Sequence, residues 1–95
     1  MVVSMIQFRI ALPPIESIKD KRRIVLSLKE KLANKFHMSV AEVDMQDSLA
    51  YAQLGAAIVS NSRTFGETVM QKALAFVEQN CEGVLQETEV FSETY

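Results

Sequence analysis

The feature that most constrains the fold is the hydrophobic period, which changes along the chain from two to about 3.6 and back, twice. The period is two in residues 5–12, 38–46, 51–60 and 84–91, and it is helical in residues 17–36 and about 61–80. A period of two is typical of strands with one buried face, and a period near 3.6 is typical of amphipathic helices. The sequence therefore predicts six elements in the order β-α-β-β-α-β.

This order restricts the topology to one main solution. Right-handed crossovers place both helices on one face of a four-stranded antiparallel sheet with strand order 4-1-3-2. The predicted fold class is α+β, with the ferredoxin-like arrangement. The short polar turn at residues 46–48 predicts an antiparallel hairpin between the second and third strands.

Local signals predict the helix boundaries. Pro13 and Pro14 end the first strand, because proline donates no ladder hydrogen bond. Ser17 is predicted to cap the first helix, with Asp20 as the reciprocal acid. Thr64 with Glu67 is predicted to be the capping box of the second, and Asn61 or Ser62 is an alternative N-cap. The predicted buried stripes are Ile18, Val25, Leu28, Leu32 and Phe36 in the first helix and Phe65, Val69, Ala73, Phe76 and Val77 in the second.

The 95 residues provide one small core, which indicates a single domain over residues 1–95. One cysteine, Cys81, excludes an intramolecular disulfide framework. No apolar run approaches the ~20 residues of a spanning helix, and the N-terminus lacks the pattern of a signal peptide. We therefore expect a cytoplasmic protein without a membrane partner.

Charge is strongly segregated along the chain. Residues 17–37 carry seven basic and two acidic side chains, whereas residues 38–95 carry two basic and nine acidic ones. A local basic surface attracts polyanions even when the whole protein is acidic. The predicted polyanion-binding residues are Lys19, Lys21, Arg22, Arg23 and Lys29. The alternative is a solvated helix surface with no ligand.

Lys21 stands apart because its helical angle falls inside the apolar stripe. A buried and unpaired ammonium is costly. One interpretation is that the stem packs against the core while the charge reaches water. The other is an ion pair, for which Asp44 and Asp47 are the candidate partners, or an anion site.

The predicted open face of the sheet offers a second candidate site. Its outward residues on the central strands are Gln7, Arg9, Gln53, Gly55, Ala57 and Val59. Glu42 and Asp44 are expected to join them from an edge strand. A face without aromatic residues and with added acids disfavours RNA recognition by base stacking. Gly55, Ala57 and Val59 are small and apolar, and together with Gln53 they predict a homodimer contact; the alternative is a strand face that only meets solvent.

The sequence contains no recognisable catalytic or cofactor motif. It has no phosphate-binding loop, dinucleotide fingerprint, nucleophile elbow or DNA-specific motif. Pro13 and Pro14 lack the N–H groups that a phosphate cradle after the first strand would need. His37 and Cys81 are single residues of their kind, and Glu42 with Asp44 makes a weak cation site at best. We expect no catalytic residue, cofactor or metal, and an enzyme is the least favoured class.

Three segments together resemble a known family. They are Ser-Ile-Lys-Asp-Lys-Arg-Arg at 17–23, Ser-Val-Ala-Glu-Val-Asp at 39–44 followed by Gln46 and Asp47, and Leu-Gly-Ala-Ala-Ile-Val-Ser-Asn at 54–61. In this order and spacing they resemble the small bacterial YlxP-like family, whose function is unknown. The resemblance implies a ferredoxin-like fold. Members are often encoded beside translation and ribosome-maturation factors, which implies a role linked to translation and contact with RNA or a ribosomal assembly.

This sequence departs from the family pattern at three positions. Ile18 replaces a leucine, Asp20 replaces a glutamate, and Met45 stands where histidine is common. The last change argues against metal binding or catalysis at Met45. The family has no established activity, so the resemblance implies no catalytic residue.

Overall fold

Six helices and strands follow one another in the computed structural model, which describes residues 1–95. They are β1 (Val2–Ala11), α1 (Ile18–Phe36), β2 (Ser39–Asp44), β3 (Tyr51–Ser60), α2 (Arg63–Asn80) and β4 (Val84–Thr94). The strands form one antiparallel sheet in the order β2-β3-β1-β4, which is the predicted order counted from the opposite edge. The predicted α+β, ferredoxin-like fold is therefore confirmed.

The core lies between the two helices and one face of the sheet, which we call the covered face. The alternation along β1 is as predicted, since Ile6, Phe8 and Ile10 are each 1% exposed. They form one cluster with helix residues such as Leu32 and Val77. Burying a side chain of this size stabilises a fold by about 1.5–3 kcal/mol. The cluster therefore holds both helices against the same face and leaves the other face, the open face, uncovered by the chain.

The edge strand β4 and its neighbour β1 are longer than their apolar patterns predict. β1 begins at Val2 rather than residue 5, and β4 ends at Thr94 rather than residue 91. The extensions pair with each other, and there the hydroxyls of Ser4 and Ser92 share a buried hydrogen bond of 2.8 Å. A satisfied serine pair is accepted in the interior, because a buried polar group costs little once it is hydrogen-bonded.

The ends of α1 are close to those predicted. The Oγ of Ser17 accepts a hydrogen bond from the backbone N–H of Asp20 at 3.2 Å, which confirms the N-cap. The Asp20 side chain makes no return bond, so the capping box is only half formed. At the other end His37 adopts a left-handed backbone with φ 53° and donates its N–H to the carbonyl of Ala33.

The capping box predicted at Thr64 and Glu67 is wrong by about two residues. Of the predicted stripe of α2, Ala73 and Val77 are buried and Val69 and Phe76 pack partly buried against the core, and only Phe65 is wrong. The N-cap is Ser62, whose Oγ accepts from the N–H of Phe65 at 3.1 Å. The buried residues of α2 are Gly66, Met70, Ala73, Leu74 and Val77. Phe65 is left exposed, because Gly66 is the residue that meets β1 at closest approach. Neither helix is both long enough and apolar enough to cross a membrane.

Candidate functional site

Lys21 lies inside the protein rather than on the surface of α1. Its side chain is only 2% exposed, and its Nζ lies 3.1 Å from Oε2 of Glu42. The same ammonium donates to the carbonyls of Met45 and Ser48, the second at 2.7 Å. A third bond, of 3.4 Å, goes to the carbonyl of Gln46, so the three hydrogens of the ammonium are used by backbone carbonyls, and Glu42 is an ion-pair neighbour that accepts no hydrogen bond from it. Lys21 is thus no ligand for an external polyanion, and the prediction that included it is wrong.

The partner of Lys21 is Glu42, not the predicted Asp44 or Asp47. The pairing of β2 with β3 shifts at Val43, which is an extra residue on β2 and forms a β-bulge. The regular register before the bulge places Glu42 opposite Leu54 on the covered face, and the bulge then places Asp44 opposite Gln53 on the open face. The predicted pair of carboxylates on one strand face is therefore not formed, and the predicted escape of the Lys21 charge to water is also wrong.

Lys21 positions the turn between β2 and β3. Met45 has a left-handed backbone with φ 62°, and its N–H donates to Oδ1 of Asp44 at 2.7 Å. A non-glycine residue in this region costs about 1 kcal/mol or more and persists only where its surroundings fix it. The bonds from Lys21 to the carbonyls of this turn provide that support, so the role of Lys21 is structural.

The remaining basic residues predicted to bind polyanions lie on the side of α1 away from the sheet. Lys19, Arg22 and Arg23 are exposed and Lys29 is half-buried; we call these four residues the basic face. Arg23 pairs with Glu82 at 3.7 Å through two side chains that are both more than half exposed, a contact that contributes little. No carboxylate lies within 4.0 Å of the other three.

The open face is built from alternate residues of all four strands. Read across β2, β3, β1 and β4 where each strand contributes, its rows are Val59, Val3 and Glu93; then Ser39, Ala57, Met5 and Phe91; then Ala41, Gly55, Gln7 and Glu89; then Asp44, Gln53, Arg9 and Gln86; then Tyr51, Ala11 and Val84. The residues predicted for a homodimer contact, Gln53, Gly55, Ala57 and Val59, all lie on this face. The first two rows are mostly apolar, and polar groups occupy the middle.

The prediction that this face lacks aromatic residues is wrong. Phe91 is 52% exposed on edge strand β4, and Tyr51 lies at the start of β3 with the Arg9 guanidinium 5.5 Å from its ring centroid. Tyr51 shares the parity of Gln53, so the period of two was sufficient to find it. The face on which Phe91 lies could not be predicted from the alternation of residues in β4. A bulge near Glu87, whose φ is 48°, changes that alternation by one residue.

The middle of the open face is a polar network with no catalytic arrangement. Nη1 of Arg9 lies 3.2 Å from Oε2 of Glu87, and Nε2 of Gln53 donates to Oε1 of Gln7 at 3.3 Å. The network holds no nucleophile paired with a base. It separates the apolar rows at one end of the face from Tyr51 at the other.

His37 and Cys81 do not come together in a site. His37 is exposed at the end of α1, and Cys81 is half-buried at the end of α2 beside a small cavity lined in part by Ile24 and Leu28. Burial raises the pKa of the Cys81 thiol, a backbone hydrogen bond partly offsets this, and the Glu78 carboxylate adds to the rise. The thiol is therefore less reactive than an ordinary one. No three histidine, cysteine or acidic side chains form a group that could hold a metal ion.

Comparison with known proteins shows the family. A family model described as "Protein of unknown function (DUF503)" matches residues 3–90. The chain belongs to this family. It is also 36% identical over 62 residues to the uncharacterized protein YlxP of Bacillus subtilis (strain 168), an alignment that covers 65% of this chain and 67% of the relative. The resemblance to the YlxP-like family is thereby confirmed.

The DUF503 match includes both candidate surfaces. Its residues 3–90 contain the whole of α1 and of β3, and all of the open face except Phe91 and Glu93. The family description assigns no activity, and the function of this chain has to be argued from its own geometry.

Proposed function

We propose that the protein binds the phosphate backbone of RNA, as presented by a ribosomal particle, through the basic face of α1. The observation that carries the proposal is the placement of Lys19, Arg22, Arg23 and Lys29 on the outer side of one helix, with three of the four free of any carboxylate. A helix rises about 1.5 Å per residue, so these four charges lie within about 15 Å along the helix axis.

The position of the charges is not what helix stability favours. Lys19 lies in the first turn of α1, where the helix dipole favours negative side chains and a base costs about 0.3–1 kcal/mol; Arg22 and Arg23 follow in the second turn, where this cost has faded. The same dipole attracts an anion to that end. A charge that opposes the stability of its own helix, but adds to its attraction for phosphate, supports an anion-binding role.

The open face is a poor alternative surface for RNA. It carries the acidic residues Asp44, Glu89 and Glu93, and its base Arg9 is paired with Glu87. The basic face lies in the helix layer, on the other side of the sheet. RNA bound to α1 therefore stays away from this acidic surface. The basic side chains contact its phosphates and do not recognise its bases.

The test is co-sedimentation of the purified protein with ribosomes and with each subunit on density gradients at low and high salt. Four phosphate contacts predict a logarithmic salt slope of roughly −3, which corresponds to roughly a 100-fold loss of affinity between 50 and 200 mM salt. Migration with one subunit at low salt that is lost at high salt is the expected result.

Two matched variants locate the contact. Lys19→Glu with Arg22→Glu reverses two charges of the basic face, and Lys31→Glu with Lys72→Glu reverses two exposed charges elsewhere. Both double variants lower the net charge by the same amount, so a general loss of attraction affects them equally. The first is expected to abolish co-sedimentation and the second to retain most of it. Equal effects of the two, or binding that ignores salt, would contradict the proposal.

A further inference from the structure

The apolar end of the open face exposes more hydrophobic surface than a monomer needs. Val59 is 66% exposed, Phe91 52% and Val43 47%. Phe91 is the cross-strand neighbour of Met5, Val59 lies one row away, and Val43 lines the same groove as Met5. A soluble monomer rarely exposes a contiguous apolar patch of this kind, and such patches mark interaction sites. The patch belongs to the sheet and is separate from the basic face.

The patch has a raised half and a hollow half. The large residues Met5 and Phe91 stand on neighbouring strands β1 and β4. On β2 and β3 the corresponding residues are small, and together with Met5 and Val43 they line a shallow groove: Ser39, Ala41, Gly55 and Ala57. A Cβ on Gly55 would lie 3.2 Å from Cγ1 of Val43, so the glycine lets that valine lie over the floor of the groove.

We propose that two copies of this chain pack open face against open face about a twofold axis parallel to the strands. Such an axis places β4 of one copy over β2 of the other, and β1 of one over β3 of the other. Phe91 of each copy then enters the groove of its partner near Ser39, and Met5 lies against the partner's Ala57. The raised half of each face fills the hollow half of its partner, so the twofold axis makes the same contact two times.

The size of the face fits a second copy. Three strands of 10 or 11 residues and the 6 residues of β2, spaced about 4.8 Å apart and rising about 3.3 Å per residue, give a plane of roughly 600 Å². Two such faces bury roughly 1,200 Å² in total, above the ~1,000 Å² expected of a specific interface. Two sheets packed in this way keep their strands nearly aligned, as in other face-to-face sheet packings.

The dimer does not depend on the proposed polyanion binding. Both helices of each copy lie on the outside of the assembly, so both basic faces remain exposed. The acidic residue Glu93 lies at the end of β4, at the rim of the patch. Failure of either proposal therefore leaves the other unaffected.

The first experiment compares two phenylalanine variants by light scattering after size exclusion, at protein concentrations up to tens of micromolar. Phe91→Lys removes the residue that fills the groove, whereas Phe65→Lys changes a residue of similar exposure in the helix layer. We expect a mass of twice 10.7 kDa for the native chain and for Phe65→Lys, and 10.7 kDa for Phe91→Lys. Circular dichroism confirms that each variant is folded.

The second experiment fixes the arrangement by cross-linking. In a Cys81→Ser background, Phe91→Cys is combined with Ser39→Cys and the protein is oxidised at low concentration. Within one chain these residues lie on opposite edge strands, about 14 Å apart, too far for a disulfide. We expect a covalent dimer, and none from Phe65→Cys with Ser39→Cys.

The outcomes are distinct. A native chain that stays at 10.7 kDa at every concentration overturns the proposal, and the open face then meets solvent or a different protein. A dimer that survives Phe91→Lys and forms no Phe91–Ser39 cross-link overturns this arrangement.

Discussion

The two faces of the one sheet are made from alternate residues of the same four strands, and they serve different purposes. On the covered face Phe8 and Leu54 are almost completely buried beneath the helices. On the open face Phe91 and Val59 are apolar as well, yet more than half of each is exposed. Hydrophobicity alone therefore does not identify the core of this protein. Apolar residues on the open face add little to folding and are available for a partner.

The largest expected effect separates the two faces directly. Phe8→Ala removes a buried ring and should lower the free energy of unfolding by about 3–5 kcal/mol. Phe91→Ala should lower that of the monomer by less than about 0.5 kcal/mol, because its ring is half in water. Urea denaturation followed by circular dichroism at low protein concentration measures both. Similar losses for the two variants would show that the open face takes part in folding the monomer.

Denaturation of the native chain and of Phe91→Ala also tests the proposed dimer. Stability that depends on association rises with protein concentration. Denaturation midpoints of the native chain should therefore rise as the protein is concentrated, while those of Phe91→Ala stay constant.

A second, smaller effect compares two lysines of α1. Lys21→Met leaves Glu42 without its partner and frees carbonyls of the β2–β3 turn, so it should lower the free energy of unfolding by about 2–3 kcal/mol. Lys19→Met should change it by less than about 0.5 kcal/mol, because that side chain is exposed and unpaired. The measurement is again urea denaturation.

A double variant identifies the cause of the Lys21 effect. Lys21→Met with Glu42→Gln removes the unpaired carboxylate and should recover part of the loss. If the double variant is as unstable as the sum of the single ones, the ion pair does not contribute and the turn carbonyls account for the effect.

The smallest effect compares two glycines, one on each side of the sheet. A Cβ on Gly66 would lie 2.0 Å from Oγ and 2.9 Å from Cβ of Ser4, which is held by its bond to Ser92. Gly66→Ala should therefore lower the free energy of unfolding by about 1–2 kcal/mol, although alanine normally gains about 1 kcal/mol in a helix. Gly55→Ala should cost less than about 0.5 kcal/mol. Its new Cβ would lie 3.2 Å from the exposed Val43, which can move, and at an ordinary contact distance of 3.7 Å from the carbonyl of Ile6. A rise in thermal midpoint for Gly66→Ala would contradict the close packing of α2 on β1.

Much of the fold could be predicted, because its signals are local. The alternation in β1 and β3 and the cap at Ser17 depend on residues within a few positions of each other, and all of them are present in the structure. The exposed charges of α1 could also be predicted, since a helical stripe defines its own opposite side. Lys21 lay inside that stripe, which marked it as unusual without identifying its partner.

Local patterns in the sequence predict the six elements, their order and which residues of the central strands face the helices. Pairing between distant strands sets the register that turns Glu42 to the covered face, and it places the bulges at Val43 and near Glu87 that turn Asp44 and Phe91 to the open face. Local patterns do not contain this information, because a bulge shifts the parity of a strand by one residue and its place is set by the distant partner strand. The contact between Gly66 and Ser4, which sets the rotation of α2, likewise joins residues far apart in sequence, and no local pattern contains it.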